Sequence, residues 1–335
     1  MGPNLAKLRE LLRNVGVARL RDHGVTEEVV LDVDSLPLVA HGRQEGAAYN
    51  GHYRDTVLHP LAVFAHTGDL LAFEQRAGNV HTADNVREVL APVLDAVEPL
   101  AKTVWVRVDA GFAAGHFFDW LDSRGAKWVT RLRTNKSLKG RCEQWLRTTE
   151  RRWARDEAPD EPRTETFEFW HQASTWTRKR RVVAVLVERN GRQGELFHNL
   201  FFLCTSVGRS KATSYDVLER YRKRGRAEAS IGELVNETRP SLSCTALDHN
   251  QVNALLAALA FQLLHHIRCR LVALTGEGLS LRRLRERVLK VATQVVKHAR
   301  RVVFRISGVK AAAWQLLRQA LASPEACLLG GSIAS

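Results

Sequence analysis

Along this chain strand-like and helical spacings of the apolar positions alternate as far as about residue 213, and from residue 214 onward the helical period alone remains. Residues 4–22 repeat Leu, Val and Ala at helical spacing. Val29, Val30, Leu31 and Val33 form an apolar run that reads as a strand over 28–39, interrupted by Asp32 and Asp34, and a glycine-rich turn follows. "VLHPLAVFAHTGDLLAFEQRAGN" (57–79) predicts two strands around a Thr67-Gly68-Asp69 turn. Residues 82–100 predict an amphipathic helix capped by Thr82 and interrupted by Pro92. A strand over 102–112 ends at Asp109, ahead of Ala110-Gly111. A short helix closed by Gly125 and a strand over 127–134 come next. Three strands, a helix, a strand, a helix and a strand predict a mixed sheet with helices on its faces.

Beyond residue 135 the texture changes. The charged, proline-bearing stretch 147–165 precedes segments that alternate like strands around Asn190-Gly191, so 135–205 reads as a β-rich insertion. From 214 the spacing predicts helices over 214–237, 249–273, 279–303 and 309–322, the last three with Arg/Lys-rich faces. The expected division is an N-terminal helical segment (1–27), a core made of 28–134 and 206–245, the insertion (135–205) and a C-terminal helical region (246–335).

Charge narrows the choice of partner. The 335 residues carry 50 Lys+Arg against 36 Asp+Glu, a net charge of +14, which favours a polyanion. A membrane is the weaker candidate, because the apolar stretch 252–264 is shorter than a span and runs into His265, His266 and Arg268. No secretory signal opens the sequence. Five separated cysteines without a CxxC pair suggest neither zinc nor a disulfide framework. The expected setting is cytoplasmic, associated with the nucleoid.

Against this basic background three acidic positions stand out. Asp32 and Asp34, two apart on a strand, point to one face. Asp109 ends another strand, and Glu228 lies on the 214–237 segment, where Tyr221, Arg224, Glu228 and Ile231 share a helical face. Carboxylates at strand ends are where α/β folds build sites. Three carboxylates without His or Cys partners suit hard cations, Mg²⁺ or Mn²⁺. Two such ions activate an oxygen nucleophile and stabilise the leaving oxygen in phosphodiester cleavage. The plainer readings are a helical salt bridge for Arg224–Glu228, a polar strand edge for Asp32 and Asp34, and a turn-former at Asp109.

The stretches "LDVDSLPLVAHGRQEGAAYNGHY", "LLAFEQRAGNVHTADN", "VRVDAGF", "YRKRGRAEASIGEL" and "SLRRLRERVLKVATQVVKHARR" stand in an order that resembles insertion-sequence DDE transposases with an RNase H-like core. Within the insertion-sequence 4-like superfamily they look most like the insertion-sequence 1380 family. The resemblance covers roughly residues 28–305. It implies Asp34, Asp109 and Glu228 as catalytic and metal-binding residues, with Asp32 as a neighbouring ligand and two Mg²⁺ or Mn²⁺ ions as cofactors. Tyr221 and Arg224 match the glutamate signature. Its lysine position is Val235, which leaves Lys223 or Arg226 as replacement phosphate contacts. The implied activity is cut-and-paste transposition on double-stranded DNA, by a homodimer. The alternative is a catalytically idle or truncated remnant that still binds DNA.

For Trp170 and Trp176, beside Arg178, Lys179, Arg180 and Arg181, the resemblance implies an aromatic that stacks on an unpaired base next to a basic DNA contact; the plainer reading is packing residues at a solvated strand end. The cationic face of 282–301 reads as a phosphate-contacting helix. His41, Gln44 and His81 are turn residues within reach of the expected site.

Overall fold

β1 (Glu28–Ser35) lies third from one edge of an eight-stranded sheet. The computed structural model describes residues 2–155, 163–190, 196–298, 300–306, 308 and 311–322. On one side β1 pairs antiparallel with β5 (Leu61–Ala65), which forms a hairpin with β6 (Leu70–Glu74). On the other side it pairs parallel with β7 (Thr103–Val108), and β7 pairs parallel with β8 (Lys127–Leu132). The order β6-β5-β1-β7-β8 is third, second, first, fourth, fifth among the sheet's strands, the arrangement of an RNase H-like core.

The pleat of β1 divides its residues between two helical layers. Val29, Leu31 and Val33 enter the core with α2 (Val86–Val97) and α3 (Gly115–Ser123), joined by Leu138 and Cys142 of α4 (Lys136–Trp153). Val30, Asp32 and Asp34 face the opposite side, where α5 (Ser214–Arg222), α6 (Gly225–Glu233) and α7 (Leu247–Thr275) lie. There Phe64 and Phe73 pack on Ala258 and Phe261 of α7, together with Leu5 and Leu12 of α1 (Gly2–Asp22).

Several expectations change. The run at 57–79 is split by Pro60, which has no N–H for a ladder. Residues before it form β4 (Asp55–Leu58), which joins β2 (Leu38–Val39) and β3 (Ala48–Asn50) in a small separate sheet. The predicted helix at 82 begins at Val86. Thr82 does not cap it, because it lies three residues ahead of the N-cap position, Asn85, in a turn whose Thr82 and Asp84 carbonyls accept from the buried Arg76. The segment 135–205 is not a separate β-rich unit. It opens with α4, and its strands β9 (Thr164–His171), β10 (Arg180–Asn190) and β11 (Leu196–Thr205) extend the core sheet through an antiparallel β8–β11 pairing. Gly191 of the expected turn lies outside the described residues.

The C-terminal region is not wholly helical. α8 (Leu281–Leu284) runs into a wide turn at Arg285–Leu289, and the rest of the predicted basic helix is a hairpin of β12 (Thr293–His298) and β13 (Arg301–Ile306). Val295, Val296, Val302 and Val303 sit at a spacing that suits either period, and their branched Cβ atoms favour the strand. α9 (Ala311–Ala322) packs on α7. α7 itself exceeds the expected apolar stretch and is long and apolar enough to cross a membrane. In this fold it buries Ala254, Leu255, Ala258 and Phe261 against the sheet. Cys142, Cys204, Cys244 and Cys269 are free thiols; Cys327 lies outside the described residues.

Candidate active site

The parallel register places Asp32 beside Arg107 and Val33 beside Val108, which carries Asp34 to the level of Asp109 at adjoining carboxyl ends of β1 and β7. Neighbouring strands are about 4.8 Å apart. Asp34 Oδ1 accepts its neighbour's N–H from Ser35 at 2.9 Å, and Oδ2 accepts from Arg224 Nη2 at 2.5 Å. The other arm of the same guanidinium, Nη1, donates to Glu228 Oε1 at 2.8 Å. Asp109 Oδ1 accepts the Gly111 N–H at 2.8 Å, and its carbonyl accepts from Thr130 Oγ1 at 2.9 Å. Gly111 leaves this turn its room: a Cβ would come 2.9 Å from Thr82 Cγ2, and Thr82 would have to shift.

Arg224 reaches Asp34 because the expected helix 214–237 is broken. α5 stops at Arg222 and α6 starts at Gly225. Between them Arg224, Arg226 and Ala227 donate three residues back, to Tyr221, Lys223 and Arg224, in a tightened turn. The break turns the Arg224 side chain inward, to 8% exposure, while Glu228 stays 63% exposed one turn later.

The charges acting here are those of a confined acidic site. Burial pushes the Asp34 carboxyl up to about 6, Arg224 opposes it, and the negative charges of Asp109 and Glu228 add to it. Arg224 is held above its ordinary value. Burial works against its charge and is outweighed by Asp34, Tyr221, Asp109 and Glu228, so all three acids act on one cation. Its buried Nε finds no acceptor.

Asp32 is placed differently from the expectation that it serves as a ligand. It is buried, its Oδ1 and Oδ2 accept from Arg107 Nε at 2.7 Å and Nη2 at 2.6 Å, and the third Arg107 nitrogen donates to the Arg220 carbonyl. A carboxylate held in this fork, with both oxygens accepting from one guanidinium, is a strut between β1, β7 and α5. The signal was present in the sequence: Arg107 is the single charge inside the apolar run "VWVRV".

Other predicted residues divide. Tyr221 is half-buried against Val129 and Leu218. Lys223 and Arg226 are exposed and line a basic cleft of about 740 Å³ with Lys127, Lys211 and Arg220. Val235 packs against the α7 core. Trp176 is buried, edge-on to Phe118, so it is a core residue. Trp170 is half exposed on β9, the edge strand five places from β1, about 24 Å away at ordinary strand spacing. The basic run beside them is mostly committed internally. Arg178 and Arg180 bond Asp122, Arg180 also bonds Asp119, and Arg181 bonds Glu168. Only Lys179 of the four is exposed without an ion pair among the described residues.

The donors of the site are carboxylate oxygens, whose chemistry fits a hard divalent cation. Among the described residues no three His, Cys, Asp or Glu side chains stand close enough to enclose a metal, since Arg224 lies between Asp34 and Glu228 where a cation would sit. Asp34 and Asp109, on adjoining strands, are the pair that would hold one; Glu228 is held by Arg224.

An RNase H-like sheet with acids at the ends of its first and fourth strands is the frame of the DDE nucleotidyl transferases. Residues 5–324 match the model of the transposase DDE domain group 1 family, and the chain belongs to that family. No curated protein matches the sequence. Among solved structures the chain is similar to the piggyBac transposase in its synaptic complex with hairpin DNA, at 12% identity and a TM-score of 0.41, over 88% of this chain and 54% of that one. The chain thus spans about half the length of that protein.

Proposed function

We propose that this protein is a DNA transposase, cleaving phosphodiester bonds at the ends of an insertion sequence and joining the freed 3′ ends to target DNA. The observation that carries the reading is that Arg224 bonds both Asp34, at the end of β1, and Glu228, on a helix remote in sequence, while Asp109 ends the adjoining strand β7. Mg²⁺ or Mn²⁺, as two ions held by Asp34, Asp109 and Glu228, would supply activation of the attacking oxygen and charge neutralisation at the phosphorus. The chain's own residues do the rest. Asp109 is fixed by Gly111 and by the neighbouring turn, so the reacting phosphate meets a rigid carboxylate. Arg224, displaced from Asp34, offers three N–H donors to phosphate oxygens, including the Nε that is now unpartnered. Lys223 and Arg226 sit on the same turn for the adjoining backbone phosphates. A homodimer on double-stranded DNA completes the proposal, because each element has two ends to be cut.

The test is nicking of supercoiled plasmid in Mg²⁺ or Mn²⁺ by the wild type and by Asp109→Asn, Glu228→Gln and Asp32→Asn. Loss of nicking in the first two, with DNA binding retained, is expected. Wild-type protein that binds DNA without nicking it would instead identify a catalytically idle remnant.

A further inference from the structure

We infer that the β12–β13 hairpin is a reading ribbon, which enters the major groove of duplex DNA and distinguishes bases there through Gln294 and Arg305. The inference rests on the transposase reading and deepens it, by naming a surface that selects the DNA sequence.

The ribbon stands on a fixed root. Leu281, Leu284 and Val288 are buried with the α7 core. Arg285 Nη1 donates to Glu237 Oε2 at 2.8 Å, and Trp314 Nε1 of α9 donates to the Val288 carbonyl at 2.8 Å. Beyond that root β12 and β13 pair with each other and with no other strand. Both faces are open: Val295 and Val302 are 50% and 55% exposed on one, and Val303 is 39% exposed on the other. A lone two-stranded ribbon is marginal in water and gains from a surface that covers it.

Charge selects the occupant. The sequence holds no Asp or Glu between Glu286 and Glu325. Over the same stretch Lys290, Lys297, Arg300, Arg301 and Arg305 are exposed and make no ion pair among the described residues. A second copy of the chain would bring the same cations edge to edge, which opposes pairing. A polyanion is attracted by them.

The register turns that attraction into a means of reading. Gln294 lies opposite Arg305 and Val296 opposite Val303, on one face with Arg301; Val295, Lys297 and Val302 take the other. In the helix expected here, Gln294 and Arg305 would stand about 16 Å apart along the axis. In the hairpin their Cβ atoms are about 5 Å apart, within two base-pair steps of about 3.4 Å. A two-stranded ribbon fits the major groove, about 12 Å wide. There a glutamine amide pairs with adenine, an arginine fork with guanine, and apolar side chains meet the thymine methyl. A surface for phosphates alone would need cations where Gln294, Val296 and Val303 stand.

The experiment is selection of duplexes from a random-sequence library by the full chain in EDTA, with the preference at each position read by sequencing. A consensus with an adenine and a guanine within about two base pairs of each other is expected. Gln294→Ala should lower the adenine preference about tenfold, and Arg305→Gln should exchange the guanine preference for adenine. Lys297→Ala should keep the consensus and reduce the salt dependence of affinity by about one phosphate contact. Absence of a consensus, or one that both Gln294→Ala and Arg305→Gln leave unchanged, would overturn the inference. So would variants that alter self-association in sedimentation in place of the consensus. Nicking by wild-type protein tests the transposase reading separately. Nicking with an unchanged consensus sinks the ribbon alone, and an exchanged consensus without nicking sinks the enzyme alone.

Discussion

Arg224 occupies the place that a cation would take between Asp34 and Glu228, so its removal should expose the charge problem of the site. The Asp34 pair is nearly closed to solvent, at 8% and 14% side-chain exposure, whereas Glu228 is mostly exposed. Deleting one partner of a buried pair costs about 3–5 kcal/mol, because the other charge is left uncompensated. The exposed Glu228 arm adds at most about 1 kcal/mol. Partial protonation of Asp34, whose carboxyl is already pushed up to about 6, relieves part of the penalty near neutral pH. Arg224→Ala should therefore lose about 3 kcal/mol of stability in EDTA, read by tryptophan fluorescence during urea unfolding. Mg²⁺ or Mn²⁺ then replaces the missing charge. A cation present at about a hundred times its Kd returns about 2.7 kcal/mol, so the two proteins should converge in metal. The variant should also bind the cation more tightly than wild type, since no guanidinium competes. A loss below about 1 kcal/mol, or one that metal leaves untouched, would refute the argument.

Trp176→Ala should destabilise by about 3–5 kcal/mol, and Trp170→Ala by under about 1, in the same urea titration; comparable losses would contradict the burial difference. His265, on α7 and fully buried beside Asp69, Arg19, Arg268, His23 and Cys269, has its pKa lowered by burial from 6.5 to about 4. Because the unfolded chain takes up this proton first, the His265 contribution to stability should be level above pH 6.5 and fall by about 3 kcal/mol as pH drops to about 4, while Asp34, with its raised pKa, acts with the opposite sign in the same window. The contribution is read as the difference between wild type and His265→Gln in urea unfolding at each pH, and a difference that does not change between pH 6.5 and 4 would count against the assignment. At Gly78 a Cβ would lie 1.9 Å from the Val57 carbonyl oxygen, so Gly78→Ala should force β4 apart and markedly lower the melting temperature. A wild-type melting curve would show the contact to be slack.

Much of the architecture was legible because it follows from local rules. The apolar runs of β1, β5, β7 and β8, the Thr67–Asp69 turn and the helix closed by Gly125 each carry their own signal of period or punctuation. So do the two strand-end aspartates, since an acid closing an apolar run before a small residue has few other reasons to be there. Where period was ambiguous the reading failed: the valines of 293–306 suit helix or strand, and pairing with one another decided for the hairpin. Composition also concealed that β9–β11 continue the core sheet, because edge pairing depends on which strand end is free in space.

By itself, then, the sequence determined the central strands β1, β5, β7 and β8 with the helices between them, the basic charge and the candidate acids. Tertiary structure decided which groups meet. Asp32 and Asp34 are equivalent in spacing, yet Arg107 from the next strand takes Asp32 into a buried fork and leaves Asp34 to Arg224. Trp170 and Trp176 differ by six residues and fall on the far edge and in the core. The physical reason is common to both cases: the free energy of a charge or a ring depends on its burial and its partner, and those partners arrive from distant parts of the chain only when the sheet closes.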